Sequence, residues 1–406
     1  MRILMLSPTL PWPLNMGSKI RVYHVLRELA QAGHEVTLLA LADEPYTTED
    51  LVDLGAHCQE LRVISVKNRP RLKAALKSLI SCKSYGVAKF ESREFKQIVA
   101  QALQKDYNIL WVHFMEILVY VAQSHIREKR PLVVLDQHNA DERFWEKYAS
   151  EGWPWIRLFA KINLWRLRKV QASLLKRVDV ILSVSKEDAD FTRTQLANPA
   201  TQVWVVPNGV DTESFRPLNT TERKNRIIFC GTMDVLMNID AVEWFARRMF
   251  PKVRKAVPDA EFWIVGRNPA PKVKVLASLP GVRVTGQVED VRPYYAKTKV
   301  AVAPFRYGGG TKLKVLEAMA LGVPVVATSV GCQGIDVTPE KHLFKEDNEE
   351  AFTQRVVSLL KNENLRRRMA VKARRLVEER YSWNAIMGDP IKRLERMIEG
   401  KQENEA

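Results

Sequence analysis

Pro304-Phe-Arg-Tyr-Gly-Gly-Gly-Thr-Lys-Leu-Lys-Val-Leu-Glu-Ala-Met-Ala-Leu-Gly-Val-Pro-Val-Val-Ala-Thr328 reads as a strand end, a glycine loop, a helix, a glycine stop and a second strand. Gly308, Gly309 and Gly310 let backbone come close to a ligand. Thr311 is placed to N-cap the helix. Free amides and the positive helix end then make an anion site. Lys312 and Lys314 add charge suited to a diphosphate. Glu317, about two turns into the expected helix, suits the vicinal hydroxyls of a ribose. Diphosphate plus ribose describes a nucleotide. The plainer alternative is a loop that only turns, with Lys314 and Glu317 as a surface pair worth a few tenths of a kcal/mol. A glycine triplet by itself does not decide between the two.

Outward from this stretch, short apolar runs alternate with amphipathic ones. Ile3–Leu6, Val36–Leu41, Ile109–Phe114, Leu132–Leu135, Val180–Val184 and Val203–Val206 lack strict alternation, as parallel strands buried on both faces do. His24–Gln31, stopped by Gly33, has a helical apolar stripe. The βαβ rhythm breaks at Pro207-Asn-Gly-Val-Asp211 and across the polar stretch Phe215–Asn225. It restarts at Arg226–Gly231, then Glu261–Val265, Val282–Thr285, Val300–Ala303 and Pro324–Ala327. The expectation is an α/β protein of two Rossmann-like, doubly wound domains. Their assigned spans are 1–212 and 213–380, with a terminal helix, 381–406, returning to the first domain. Asn348–Tyr381 and Trp383–Gly400 are the expected last helices, with Gln402–Ala406 frayed. Two such domains imply a cleft at the carboxyl ends of the strands, where open α/β folds bind ligands.

A length of 406 residues suits two such domains, and 46% hydrophobic with 27% charged residues suits a folded, soluble chain. The net charge of +16 favours acidic partners: nucleotides, anionic lipid surfaces or nucleic acid. No nucleic-acid reader module is recognisable, so nucleic acid is not expected. Cys58, Cys82, Cys230 and Cys332 are scattered, and read as reduced, mostly buried and not zinc-binding. No stretch is long and apolar enough to span a bilayer. A cytoplasmic chain is expected, with peripheral attachment to the inner membrane face as the further option. Trp153–Val170 carries no acidic residue and three tryptophans. With the basic run at Arg69–Lys73, Lys77, Lys83 and Lys89, it suits an anionic membrane interface. Alternatively its Trp and Leu residues pack on the first sheet while the arginines are solvated.

Glu317-Ala-Met-Ala-x-Gly-x-Pro-Val-Val326 resembles the donor-site signature of the GT-B glycosyltransferases, specifically the large retaining family 4. Phe229–Asp234 with Asn238, Val265-Gly266, Val284–Val288 with Asp290, and Gly331-x-x-Gly334 follow that family's order. The opening, Pro8-x-x-Pro-x-Pro13 with Gly17-Ser-Lys-Ile-Arg21, resembles a subgroup linked to exopolysaccharide synthesis. The resemblance implies GT-B architecture and retaining transfer of a sugar from a nucleotide-diphosphate donor to a hydroxyl acceptor, on a glycan or lipid-linked glycan. It implies no further cofactor. No metal is expected, since lysines supply the charge and no Asp-x-Asp is taken as a metal site. Catalytic candidates are His138, Lys312 and Glu317. Donor-binding candidates are Gly17, Gly231, Thr232, Gly309, Gly310, Thr311, Lys312, Lys314 and Glu317. The base is expected near Gly286–Val288.

Two departures from the family stand out. The first glutamate of the paired motif falls at Gly309, and the expected Arg after Gly231 is Thr232. In the family the missing glutamate addresses the donor sugar. His138 follows the strand Leu132–Leu135, where the resemblance implies a histidine near that sugar. A capping or solvated histidine is the alternative. His113 is a weaker candidate and Asp136 a second choice of base. Competing readings are a nucleotide-sugar epimerase or phosphorylase on the same fold, and an inactive donor-binding subunit. Lacking Gly-x-Gly-x-x-Gly, the first loop does not suit a dehydrogenase.

Overall fold

Continuous apolar runs become parallel strands here because each strand is covered on both faces. The computed structural model describes residues 1–66, 71–122, 130–138, 141–151, 153–196, 198–218 and 223–405. The first sheet contains β1 (Arg2–Ser7), β2 (Glu35–Ala42), β3 (Glu60–Ser65), β4 (Ile109–His113), β5 (Leu132–Gln137), β6 (Val180–Ser183) and β7 (Gln202–Val205). Their order is β3-β2-β1-β4-β5-β6-β7, all parallel. The second contains β8 (Lys224–Cys230), β9 (Glu261–Val265), β10 (Val282–Gly286), β11 (Thr298–Ala303), β12 (Val325–Ala327) and β13 (Phe344–Lys345). Its order, β10-β9-β8-β11-β12-β13, repeats the same winding. In both sheets the chain reverses direction of travel between the first strand and the fourth. That is the switch point where such folds take ligands.

Contacts divide the chain into Met1–Val206 with Met387–Ala406, and Pro207–Ile386. The first boundary falls at Pro207 rather than 213, and the terminal segment leaves the second unit at Met387 rather than 381. Local packing explains both shifts. Val210 N donates to Tyr381 O at 2.8 Å, and Val210 bridges to Ser382. A Cβ on Gly209 would lie 2.9 Å from both Ile386 and Trp383, so the turn and the later crossing are held as one.

The sequence misses β3 and β13. Both are edge strands, paired on one side only, so neither needs an apolar run. The expected helix Asn348–Tyr381 is two, Glu349–Lys361 and Glu363–Arg380. Asn362 ends one and caps the other, its side chain accepting from Leu365 N at 2.9 Å. The last helix, Trp383–Glu405, continues through the tail expected to fray. Cys230 and Cys332 are buried, but Cys58 is only half-buried and Cys82 is exposed. Among the described residues, no helix is long and apolar enough to cross a membrane.

Candidate functional site

At the second switch point, β8 ends in Cys230 and turns at Gly231. The crowding there explains its glycines. Gly231 N donates to Val265 O at 3.0 Å, and Gly266 N to Gly286 O at 3.2 Å. A Cβ on Gly266 would lie 1.7 Å from Gly231 O, and Gly266 has φ 148°. The structure therefore brings Gly286, expected near the base, beside Gly266 and Gly231. A Cβ on Gly231 would lie 2.6 Å from Lys314 Nζ, so glycine makes room for that ammonium.

Lys314 comes from the helix Leu313–Ala320 after β11. Its Nζ donates to Asn238 Oδ1 at 2.8 Å, and Asn238 Nδ2 donates to Thr232 O at 2.8 Å. The ammonium lies 4.3 Å and 4.9 Å from the ring centroids of Phe229 and Phe305. Burial pushes Lys314 down to about 7. Burial likewise pushes Glu317 up to about 7, against the opposing pull of Lys314. Both residues are half-buried. No ion pair joins them among the described residues; Lys314 is turned to Asn238 instead. Asn238 is part of the sequence pattern that resembles the family, but only the fold shows that it holds Lys314.

The glycine loop differs from its expected form. The helix begins at Leu313 with Lys312 at the cap position and no side-chain cap, so Thr311 does not cap it. A Cβ on Gly334 would lie 2.8 Å from Thr311 Oγ1, so Thr311 packs toward the Gly334 turn. Glu317 is the fifth helical residue, little more than one turn in. Lys312 is buried, and its Nζ donates to Gly309 O at 2.7 Å and Gly310 O at 3.1 Å. Its charge supports the loop. A Cβ on Gly309 would meet nothing within 4 Å.

The first sheet's switch point holds a different group. Arg21, on the helix Gly17–Gln31, donates from Nε to both Asp136 oxygens at 2.8 and 3.0 Å. Its Nη2 is 2.8 Å from Asp136 Oδ1, and both side chains are essentially inaccessible to solvent. His113 Nδ1 lies 3.2 Å from Asp136 Oδ2 and 3.2 Å from His138 Nε2. Phe114 stacks on His138 with centroids 4.1 Å apart. Burial opposes ionisation of Asp136, but Arg21 and His113 together hold it well below the usual carboxylate range. This corrects its assignment as an alternative base, since so weak a base takes up no proton near neutrality. Burial holds His138 well below its ordinary value, against the pull of Asp136 and with the help of His113 and Arg21. It is a neutral imidazole, suited to hydrogen bonding.

The charge partner of Asp136 was legible only as one letter of Gly17-Ser-Lys-Ile-Arg21. Gly17 itself is exposed at the first residue of its helix. Lys19 is buried and pairs with Glu44 at 2.8 Å. Asn139 and Ala140 of the Asp136–Glu142 segment, and Arg69 and Pro70 of the basic run, lie outside the described residues. His113, Asp136 and His138 have ligand atoms within 4.8 Å of one another, a possible metal-binding group. The guanidinium already occupying both Asp136 oxygens makes it a poor fit for a divalent ion. One Asp-x-Asp does occur, Asp188-Ala-Asp190. Asp188 Oδ2 accepts from Ser185 Oγ at 2.9 Å and Asp190 pairs with Arg193 at 2.6 Å, so both are structural.

Two Rossmann-like sheets of this order in one chain are the GT-B architecture. The fold matches that of HepE from Anabaena, solved in complex with UDP and glucose, with TM-score 0.65 at 14% identity over 98% of this chain and 100% of that one. The chain carries two glycosyltransferase family domains. Residues 17–214 match the model "Glycosyltransferase Family 4" and residues 224–362 the model "Glycosyl transferases group 1". Among curated relatives, it is 26% identical to the MMP alpha-(1->4)-mannosyltransferase of Mycolicibacterium hassiacum, over 94% of this chain and 95% of that protein. It is 20% identical to an uncharacterized 44.6 kDa protein in the cps region of Klebsiella pneumoniae, over 96% of this chain and 99% of that protein. The chain is a nucleotide-sugar-dependent glycosyltransferase.

Proposed function

We propose that the chain moves a hexosyl group from a nucleotide-diphosphate sugar to a hydroxyl of a glycan or lipid-linked glycan of cell-surface polysaccharide synthesis. The reaction retains anomeric configuration and uses no metal or further cofactor. The observation that carries the donor half is the meeting of Lys314, Asn238 and Gly231 beside Glu317 at the second switch point. Lys314 faces the diphosphate and offsets the negative charge that grows on the leaving group. Glu317 accepts from the ribose hydroxyls, and Gly286 backs the base. The neutral imidazole of His138 hydrogen-bonds a sugar hydroxyl. Retention and the polysaccharide acceptor rest on the family resemblance, and a lipid-linked acceptor places the enzyme at the cytoplasmic membrane face.

A thermal-shift panel of UDP, GDP and their sugars tests the donor site, since a ligand of the folded state raises the melting temperature by mass action. A shift with one nucleotide series, absent in Lys314→Ala, is expected. No shift with any of them overturns the assignment. The open space at Gly309 keeps one second reading in play, a chain that binds donor without transferring it. Nucleotide binding with no transfer to a membrane extract selects that reading.

A further inference from the structure

Helix Pro154–Leu174 carries two apolar stripes on opposite sides. Ala160, Leu167 and Leu174 face the interior with Asn163 and Gln171. Trp155, Leu158, Ile162 and Trp165 recur at helical spacing on the other side. Trp155, Leu158 and Trp165 are 66%, 61% and 58% exposed, so the tryptophans do not pack on the sheet. Trp153, just before the helix, stacks on Trp155 with centroids 5.3 Å apart. The helix Arg71–Ser81 repeats the arrangement. Ala74 and Ser78 are buried, while Leu76, Leu79 and Ile80 are 51%, 44% and 85% exposed. Arg166 Nη1 donates to Ser78 O at 2.8 Å and ties the two helices, and Tyr85 N, which opens the helix Tyr85–Phe90, donates to Asn163 Oδ1 at 2.6 Å.

Scattered exposed apolar residues need no explanation, but two neighbouring outward stripes mark a docking face. Charge selects the occupant. Neither 71–89 nor 154–174 contains an aspartate or glutamate, and Lys73, Arg157 and Lys161 flank the stripes in exposed positions. Glu91 and Glu146, on adjoining elements, are each paired with a cation at 2.5 to 2.8 Å. Indole rings beside basic side chains suit the headgroup layer of an anionic bilayer; a protein partner would need acidic groups set opposite each cation.

We propose that these two helices form a monotopic membrane-docking face, lying flat on an anionic lipid surface with Trp155, Leu158 and Ile80 entering the headgroup boundary. This extends the reading of a lipid-linked acceptor, and the two can fail separately. The test is sedimentation of the full chain with vesicles of phosphatidylglycerol and phosphatidylcholine in equal parts, against phosphatidylcholine alone. The variants are Trp155→Ser with Leu158→Ser and Ile80→Ser, and separately Lys73→Glu with Arg157→Glu and Lys161→Glu. Binding to the anionic vesicles should weaken with salt and fall roughly tenfold or more in each variant, with the nucleotide thermal shift kept. Wild-type protein that stays in solution with anionic vesicles overturns the proposal. So do variants that bind as wild type does, and so does an oligomer that the apolar variant dissolves, since that face would then join copies of the chain. Vesicle binding without any nucleotide response leaves the docking face standing and sinks the donor site.

Discussion

The two sheets share one winding order, yet their switch points are in opposite electrostatic states. In the first, Arg21 and Asp136 are fully buried and satisfy each other, with His113 closing the group around a neutral His138. In the second, Lys314 and Glu317 are half-buried, burial shifts both toward their neutral forms, and among the described residues neither has an ionic partner. Burying a charge without a partner is costly. A fold keeps such a cost where a ligand relieves it, and perturbed groups gather at functional sites for that reason. The first group is therefore built to hold shape, and the second to receive charge.

The largest expected effect breaks the closed group. Asp136→Asn strands the Arg21 guanidinium in the interior, and losing one partner of a buried pair costs about 3–5 kcal/mol. Urea denaturation should show a clearly lowered midpoint. Acid should do the same to the wild-type protein. The folded Asp136 value lies below that of the unfolded chain, so its contribution is full above about pH 4 and is lost as pH falls further. A variant of unchanged stability would mean that the pair is not the keystone of the first unit.

Next comes the open group. Lys314→Ala removes the only ammonium directed at the Gly231 turn among the described residues, and kcat should fall roughly 100- to 1000-fold, as with loss of a preorganised charge-stabilising donor. Lys312→Ala should cost well under that, through a loosened loop, because its ammonium is bonded to Gly309 and Gly310 carbonyls. Equal losses in kcat would erase the distinction between the two lysines.

A smaller effect sharpens the same contrast. With burial pushing Lys314 down to about 7, a bound diphosphate ester raises its proton affinity. Donor binding should then take up protons, and affinity should fall above pH 7 by up to roughly tenfold per pH unit. Titration calorimetry of a nucleotide sugar in buffers of different ionisation enthalpy measures this directly. In Lys314→Met the uptake should be lost, leaving only the opposite contribution of Glu317. Glu317 contributes with opposite sign, since a ribose favours its ionised form, so Glu317→Gln should increase the net uptake.

Much of this is legible in the sequence alone. Glycines at 231, 266, 286 and 310 sit where backbone crowding or positive φ requires them, and the apolar runs became strands within a residue or two. Roles that depend on distant pairing were not legible. Arg21 and Asp136 are 115 positions apart, and Lys314 and Asn238 are 76 apart, so no local spacing links them. Cap chemistry also misled. Thr311 has a favoured capping side chain, but the helix starts later, with Lys312 at the cap position. β3 mixes polar with apolar residues and β13 is two residues long, so neither shows a continuous apolar run.

Gly309 carries the smallest expected effect on stability and the most informative one on specificity. Its backbone lies outside the left-handed region, and a Cβ there would point into open space. Gly309→Glu, which restores the side chain that the family motif carries at this place, should therefore change stability by no more than about 0.5 kcal/mol. Nucleotide affinity should hold, because the Lys314 group does not involve the Gly309 side of the loop. What should move is the ratio of kcat/KM between nucleotide sugars that share a base and differ in the sugar. An unchanged ratio would mean that sugar choice is set elsewhere, with His138 the next group to vary. A loss of nucleotide affinity would instead mean that the bare glycine backbone is itself part of the anion site. The nucleotide series can be scored in the same titrations, so the two outcomes separate in one experiment.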